Sequence, residues 1–259
     1  MTASGPKTDL IFGYHAVSAA LAVEPDSIRE VWIQSDRGDR RMQRLVTAVE
    51  QLGITVQRLS RRSLDQLAAG GCHQGVIVRC GRIPRPSWNS LDALLADCQA
   101  APLLLVLDGV QDPRNLGACL RTADAVGVHA VIVPKHRAAS MTPAVRKVAC
   151  GAAETVPLWQ VTNLARTLRE LCSTELFVVG ASPEASPTLY EVDLTGPVAI
   201  VLGSEERGLR RLTREHCDCL VRIPLHGTVT SLNVAVAAAV LLYEVHRQRW
   251  LRRQGAGRR

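Results

Sequence analysis

LLLVLDGVQDPRNLGACLRTADAVGVHAVIVP, residues 103–134, holds two continuous apolar runs with a helical segment between them. The first run, LLLVLDGV, does not alternate apolar with polar residues, which is the mark of a strand covered on both faces. Residues 115–127 fit a helix, and AVIVP at 130–134 is a second strand. A strand, a helix and a strand in this order make the parallel unit of an α/β sheet. Toward the C-terminus the pattern repeats. A helix is expected over 143–153, a strand over 156–161 and a helix over 163–172. LFVVGAS (176–182) and VAIVLGS (198–204) read as strands, 209–216 as a helix, and LVRIPL (220–225) as a strand. Residues 231–250 form a closing helix of about five turns. The basic, glycine-containing tail RQRWLRRQGAGRR (247–259) reads as a frayed end.

Toward the N-terminus lies a smaller α/β series. Helices are expected over 14–22, 40–52 and 62–68, and strands over 28–34, 54–59 and 75–80. Met42, Leu45, Val46 and Val49 share one face of the second helix. GRIPRPSWNS (81–90), with two prolines among polar residues, reads as a linker. The chain therefore divides into a domain at 1–80, a linker at 81–100 and a domain at 101–259.

The chain has 259 residues, 47% of them hydrophobic, which is enough for a substantial core. Aromatics supply only 3%, so that core is built from aliphatic side chains. A formal net charge of +7, carried mostly by arginine, suits a polyanionic partner, because guanidinium forks match phosphate oxygens. None of the eight cysteines forms a CxxC pair, and reduced thiols with no metal site are expected. The first residues lack the basic-then-apolar run of a signal peptide, and no apolar run is long enough to span a bilayer, so a cytoplasmic protein is expected.

Three segments place polar and glycine residues just past an apolar strand, where ligands bind in parallel sheets. The first is DGVQDPRNLGACLRTAD (108–124), in which Asn115 caps a helix that carries Arg121. The second is GSEERG (203–208), with Glu205 between two glycines. The third is IPLHGTVTSLNV (223–234), with Ser231 and Asn233 at the start of the closing helix. Each alone reads equally well as a turn, a hydrated loop or an ordinary helix cap. GxGxxG, GxxxxGK[ST], HExxH and GxSxG are all absent, which removes the simplest dinucleotide, P-loop, metalloprotease and serine-hydrolase readings.

Together the three segments resemble the motifs of the SpoU/TrmH RNA 2′-O-ribose methyltransferases. NLGACLRTAD (115–124) is similar to N-x-G-x-x-x-R, LGSEERG (202–208) to G-x-E-x-x-G, and IPLHGTVTSLNVAVA (223–237) to a segment that opens with I-P and carries S-L-N-V. FGYHAVSAAL (12–21) resembles the substrate-binding domain of the family's ribosomal-RNA branch, as do VIVPKHRAAS (131–140), VRKVACGAAE (145–154) and RRLTREHCD (210–218) its connecting segments. The resemblance implies a C-terminal parallel-sheet domain with a deep trefoil knot, a homodimer, and S-adenosylmethionine as cofactor. It implies that Gly203, Ile223 and Leu232 hold the cofactor, and that Asn115, Arg121, Glu205, Ser231 and Asn233 form the catalytic set. The reaction it implies is 2′-O-methylation of a guanosine ribose in 23S ribosomal RNA, free or in a large-subunit precursor. Transfer RNA, or a ribosomal adenosine whose methylation confers antibiotic resistance, is the alternative within the same chemistry. A non-catalytic ribosome-assembly protein is the alternative outside it. Arg40, Arg41, Arg44, Arg61 and Arg62 are candidate phosphate contacts of the N-terminal domain, or equally a solvated charged face.

Overall fold

The computed structural model describes residues 9–23, 25–68, 73–81, 91–96, 98 and 100–256. Most of the expected linker, 82–90, lies outside them. The chain gathers into two compact units. One comprises Met1–Pro86 and Met141–Thr155, the other Ser87–Ser140 and Val156–Arg259.

In the first unit the strands are β1 (Asp9–Phe12), β2 (Ile28–Gln34), β3 (Val56–Leu59) and β4 (Val76–Cys80), and the helices are α1 (Tyr14–Val23), α2 (Arg40–Gln51) and α3 (Arg61–Leu67). The sheet order is β1-β4-β2-β3, with β2 and β3 parallel and the other pairs antiparallel. α2 starts where Asp39 accepts hydrogen bonds from the Arg41 and Met42 amides. Its apolar stripe puts Met42, Leu45 and Val49 in the core, against Val31, Ile33 and Val78 of the sheet, with Val46 half-buried beside them. Arg40, Arg41, Arg44, Arg61 and Arg62 are exposed on α2 and α3.

The second unit opens with α4 (Leu91–Ala96), β5 (Leu103–Asp108), α5 (Pro113–Val126) and β6 (Ala130–Pro134). Next in sequence come α6 (Pro143–Ala149) and α7 (Ala152–Thr155), which cluster with the first unit. The single helix expected over 143–153 is broken in two, because Cys150 adopts a left-handed conformation with φ of 53° and Gly151 follows at φ of 103°. The second unit resumes with β7 (Leu158–Val161), α8 (Leu164–Cys172), β8 (Phe177–Ala181), β9 (Val198–Gly203), α9 (Arg211–Glu215), β10 (Cys219–Val221) and α10 (Val234–Ala256).

These six strands form one all-parallel sheet in the order β10-β8-β9-β5-β6-β7. Every residue of β5 and β6 is buried, as unbroken apolar runs require. Leu104, Val106, Ala199 and Val201 pack with Leu94 of α4 and Leu164, Leu168 and Leu171 of α8. α10 lies against β9 and against α5. By strand alternation the neighbouring residues of β5 and β9 point to this opposite face.

The described part of the tail is not frayed: α10 runs through Ala256, and residues 257–259 lie outside the described residues. Good helix formers continue the helix, and arginines anchor it. The Arg249 guanidinium donates to the carbonyls of Ala101, Pro102 and Gly196, and Arg252 donates to Thr195 Oγ1. Arg249→Ala strips three carbonyls of their charged donor at once. It should lower the unfolding free energy in urea by about 2–3 kcal/mol, whereas Arg253→Ala in the same helix should change it by under about 0.5 kcal/mol.

Candidate active site

β5 and β9 are neighbours whose connections leave in opposite directions. The chain goes from β5 through α5 to β6 on one side, and from β9 through α9 to β10 beyond β8 on the other. Such a reversal opens a crevice at the carboxyl ends of the two strands. The three segments singled out in the sequence are the loops at this edge.

In the second loop, Ser204 and Gly208 form an antiparallel bridge, closed by a 2.8 Å hydrogen bond from the Gly208 amide to the Ser204 carbonyl. The turn folds back onto the strand end so closely that a Cβ on Gly203 would lie 1.9 Å from the Gly208 carbonyl carbon. No side chain fits there, so a glycine is required. The turn leaves the Glu205 side chain exposed at the edge of the sheet.

Glu205 is the acceptor end of a hydrogen-bond chain through all three loops. The Ala235 amide donates to Asn233 Oδ1 at 2.9 Å, Asn233 Nδ2 donates to Asn115 Oδ1 at 3.1 Å, and Asn115 Nδ2 donates to Glu205 Oε1. Its ends fix its polarity, since a backbone amide only donates and an ionised carboxylate only accepts. Both carboxamides are therefore oriented without ambiguity.

This corrects two expectations. Asn115 is not the cap of its helix. Asp112 is, accepting from the Arg114 amide at 2.8 Å with Pro113 in the first turn, and Asn115 is thereby released for the chain. Nor does the closing helix begin at Ser231. Asn233 caps it, through Ala235 N–H to its side chain and Ala237 N–H to its carbonyl.

Beside the chain lies a cavity of about 330 Å³, within the range of small-molecule sites. Gly203, Ile223 and Leu232 line it, and so do Glu205 and Ser231. Its apolar wall continues through Leu202, Val221 and Leu225. Arg121 is exposed on α5 and is not among the residues that line the cavity. The nearby Cys119 thiol is pushed up to about 12 by burial and by the charge of Glu205, so it supplies no nucleophile at neutral pH. Among the described residues no group of His, Cys, Asp or Glu is gathered to hold a metal ion.

Sequence reasoning missed three residues of the cavity. Arg214 Nη2 donates to Ser182 Oγ at 2.6 Å and to Glu184 Oε2 at 2.9 Å, and all three line the space. The available signal was Ser182, which directly follows β8 at the same sheet edge. It also missed Asp108, the only charged residue in β5, which is held by Arg210.

The chain matches the SpoU rRNA Methylase family over residues 102–243 and the RNA 2′-O ribose methyltransferase substrate binding family over residues 10–85. It is 54% identical over 243 residues to the 23S rRNA (guanosine-2′-O-)-methyltransferase RlmB of Haemophilus influenzae, covering 93% of this chain and 98% of that protein. It is 55% identical over 240 residues to RlmB of Pasteurella multocida, covering 92% and 98%. Among solved structures it is similar to the SpoU methyltransferase AviRb from Streptomyces viridochromogenes in complex with the cofactor AdoMet, with a TM-score of 0.75, 25% identity, and coverage of 93% of this chain and 90% of that one.

The geometry of the 203–208 turn separates two kinds of glycine. Gly203→Ala collides with backbone, while Gly208→Ala meets open space and carries only the strain of its φ of +60°. Gly203→Ala should lower stability by about 3 kcal/mol or more, and Gly208→Ala by about 1 kcal/mol. Equal shifts of melting temperature would contradict the close approach.

Proposed function

This chain belongs to the SpoU rRNA methylase family, and from that premise we propose how its residues carry out the reaction. The reaction is transfer of a methyl group from S-adenosylmethionine to the ribose 2′-hydroxyl of a guanosine in 23S ribosomal RNA. The observation that carries the residue-level reading is the double membership of Glu205, which ends the hydrogen-bond chain and also lines the cavity. It is where a cofactor in the cavity and a nucleophile at the chain would meet.

Gly203, Ile223 and Leu232 would hold the cofactor, and they fit one with an adenosyl group. Gly203 lets the 203–208 turn fold back at the cavity edge, and the two aliphatic residues give an apolar surface for a flat base. When bound, S-adenosylmethionine supplies an electrophilic methyl group on a sulfonium sulfur. In-line attack asks mainly for orientation. Asn115, Glu205 and Asn233, locked into one polarity, orient the nucleophile and the loops around it. Arg121 binds the neighbouring phosphate and polarises the hydroxyl. A guanidinium offers donors and no acceptor, so Arg121 orients the hydroxyl rather than taking its proton. Ser231, exposed on the cavity rim, fixes its loop or contacts RNA. The oriented carboxamides speak against a retired enzyme, since a purely structural cap does not need Asn115.

The substrate domain is 1–80, the linker 81–100 and the methyltransferase domain, with the knot, 101–259, although α4 within that linker packs in the second unit and α6 and α7 cluster with the first. Arg40, Arg41, Arg44, Arg61 and Arg62, all exposed, are the substrate domain's phosphate contacts, reading shape and charge rather than stacked bases. The active form is a homodimer. Val236, Tyr243 and Trp250 follow one another at seven-residue spacing on α10 and are 50%, 52% and 52% exposed, an apolar stripe opposite the face packed on β9 and α5. A cytoplasmic location accords with a ribosomal substrate; among the described residues no helix is long and apolar enough to cross a membrane.

Incubation with tritiated S-adenosylmethionine and unmodified 23S ribosomal RNA, followed by nucleoside mass spectrometry, should yield 2′-O-methylguanosine. Arg121→Lys should lower turnover by about a hundredfold with cofactor affinity unchanged; full turnover would remove Arg121 from its role. Tyr243→Asp with Trp250→Asp should sediment as a monomer if α10 is the dimer surface, and an unchanged dimer would move the interface elsewhere.

A further inference from the structure

Asp108 ends β5 with its side chain fully buried, in a strand otherwise made of leucine and valine. A carboxylate removed from water is costly unless it is paired. Its partner is Arg210, which follows the 203–208 turn. The Arg210 amide donates to Asp108 Oδ2 at 3.0 Å, and Arg210 Nε lies 3.3 Å from Oδ1. This uses only one part of the guanidinium. Among the described residues Nη1 and Nη2 have no hydrogen-bond partner, and the side chain is 47% exposed.

The site also makes room for the guanidinium. Gly109 has a φ of +83°, and a Cβ there would lie 3.0 Å from Arg210 Nη2. The carbonyl of Arg137, from the loop after β6, approaches the same point at 3.7 Å. Arg137 itself holds a left-handed φ of 56°, and its loop is tied down by the Ala139 amide donating to the Val110 carbonyl at 2.8 Å. Arg210 thus lies at the carboxyl end of β5, its amide hydrogen-bonded to Asp108 Oδ2 and its Nε in ion-pair contact with Oδ1, which accepts no hydrogen bond, while among the described residues its two terminal nitrogens have no hydrogen-bond partner. A guanidinium held beside a buried carboxylate while its terminal nitrogens keep their donors open is suited to bidentate recognition of a phosphate.

We propose that Arg210 binds a phosphate of the RNA substrate beside the nucleotide being methylated, with Asp108 as the positioning residue that holds Arg210 at the strand end through its backbone amide and an ion pair. This rests on the reading of the crevice as the methylation site. It gives the crevice a second phosphate contact, distinct from Arg121 and fixed in place before RNA arrives.

The test uses the full chain, an unmodified large-subunit RNA transcript, and Arg210→Lys and Arg210→Gln variants. Arg210→Lys keeps a cation for Asp108 and loses the fork. Its melting temperature and S-adenosylmethionine affinity should match the wild type, while its KM for RNA rises about tenfold and kcat falls by less. For Arg210→Gln, the slope of log binding constant against log salt concentration should lose about one phosphate's share, ~0.7–0.9. Wild-type RNA KM in Arg210→Lys together with a wild-type slope in Arg210→Gln would overturn the proposal. So would a loss of RNA binding that only tracks falling cofactor affinity and melting temperature, which would make Arg210 a structural tether. Failure of the wild type itself to methylate the transcript would count against the function, and the salt slopes would still judge Arg210 separately.

Discussion

The backbone of Gly208 rests directly on Gly203, and the arrangement of this edge of the sheet follows from that contact. The strand cannot continue past Gly203 without meeting its own returning chain, so β9 ends there and the turn stands at the rim of the sheet. Glu205 occupies the outer part of this turn and reaches Asn115 on α5. On the far side of the turn the chain is held by Asp108, a residue 102 positions earlier. Two strands that are neighbours only in space are thus joined by a carboxylate at each loop, Asp108 holding the β9 loop and Glu205 holding the β5 helix.

Asn233 has two roles that one carboxamide can fill together. Its oxygen completes the first turn of α10, and its nitrogen orients Asn115. The long C-terminal helix and the reactive edge share a hydrogen-bonding group, so the energy that orders the helix start also orders the site. A capping residue is worth about 1 kcal/mol to a helix. Here the same group also fixes which atoms Asn115 presents to its neighbours, a matter of specificity rather than stability.

The parallel sheet was legible in the sequence because its strands are short unbroken apolar runs, and β6 falls within the expected limits, as does β2 in the mixed sheet of the first unit. β1 was not, since DLIF is short and gains its strand character from pairing with β4. The cap of α5 was misread, although Pro113 after Asp112 carried the signal. Asn115 drew attention as a capping type three residues too late. The motif residues gather at one edge of the sheet because each segment follows a strand. What linear reading could not supply was pairing at long range. Arg214 with Glu184 and Arg210 with Asp108 join residues from separate connections, and nothing local marks either arginine apart from its charged neighbours.

The first compact unit is not a continuous piece of chain: it draws in Met141–Thr155, which lies in sequence between β6 and β7. During synthesis the ribosome delivers β1 through β4 long before α6 and α7, with β5, α5 and β6 emerging in between. N-terminal domains commonly fold first as the chain emerges, yet here the last two helices of that unit arrive only after half of the second sheet's central strands have been made. The first compact unit therefore reaches its full set of elements only once residue 155 has been made, after strands of the second sheet already exist.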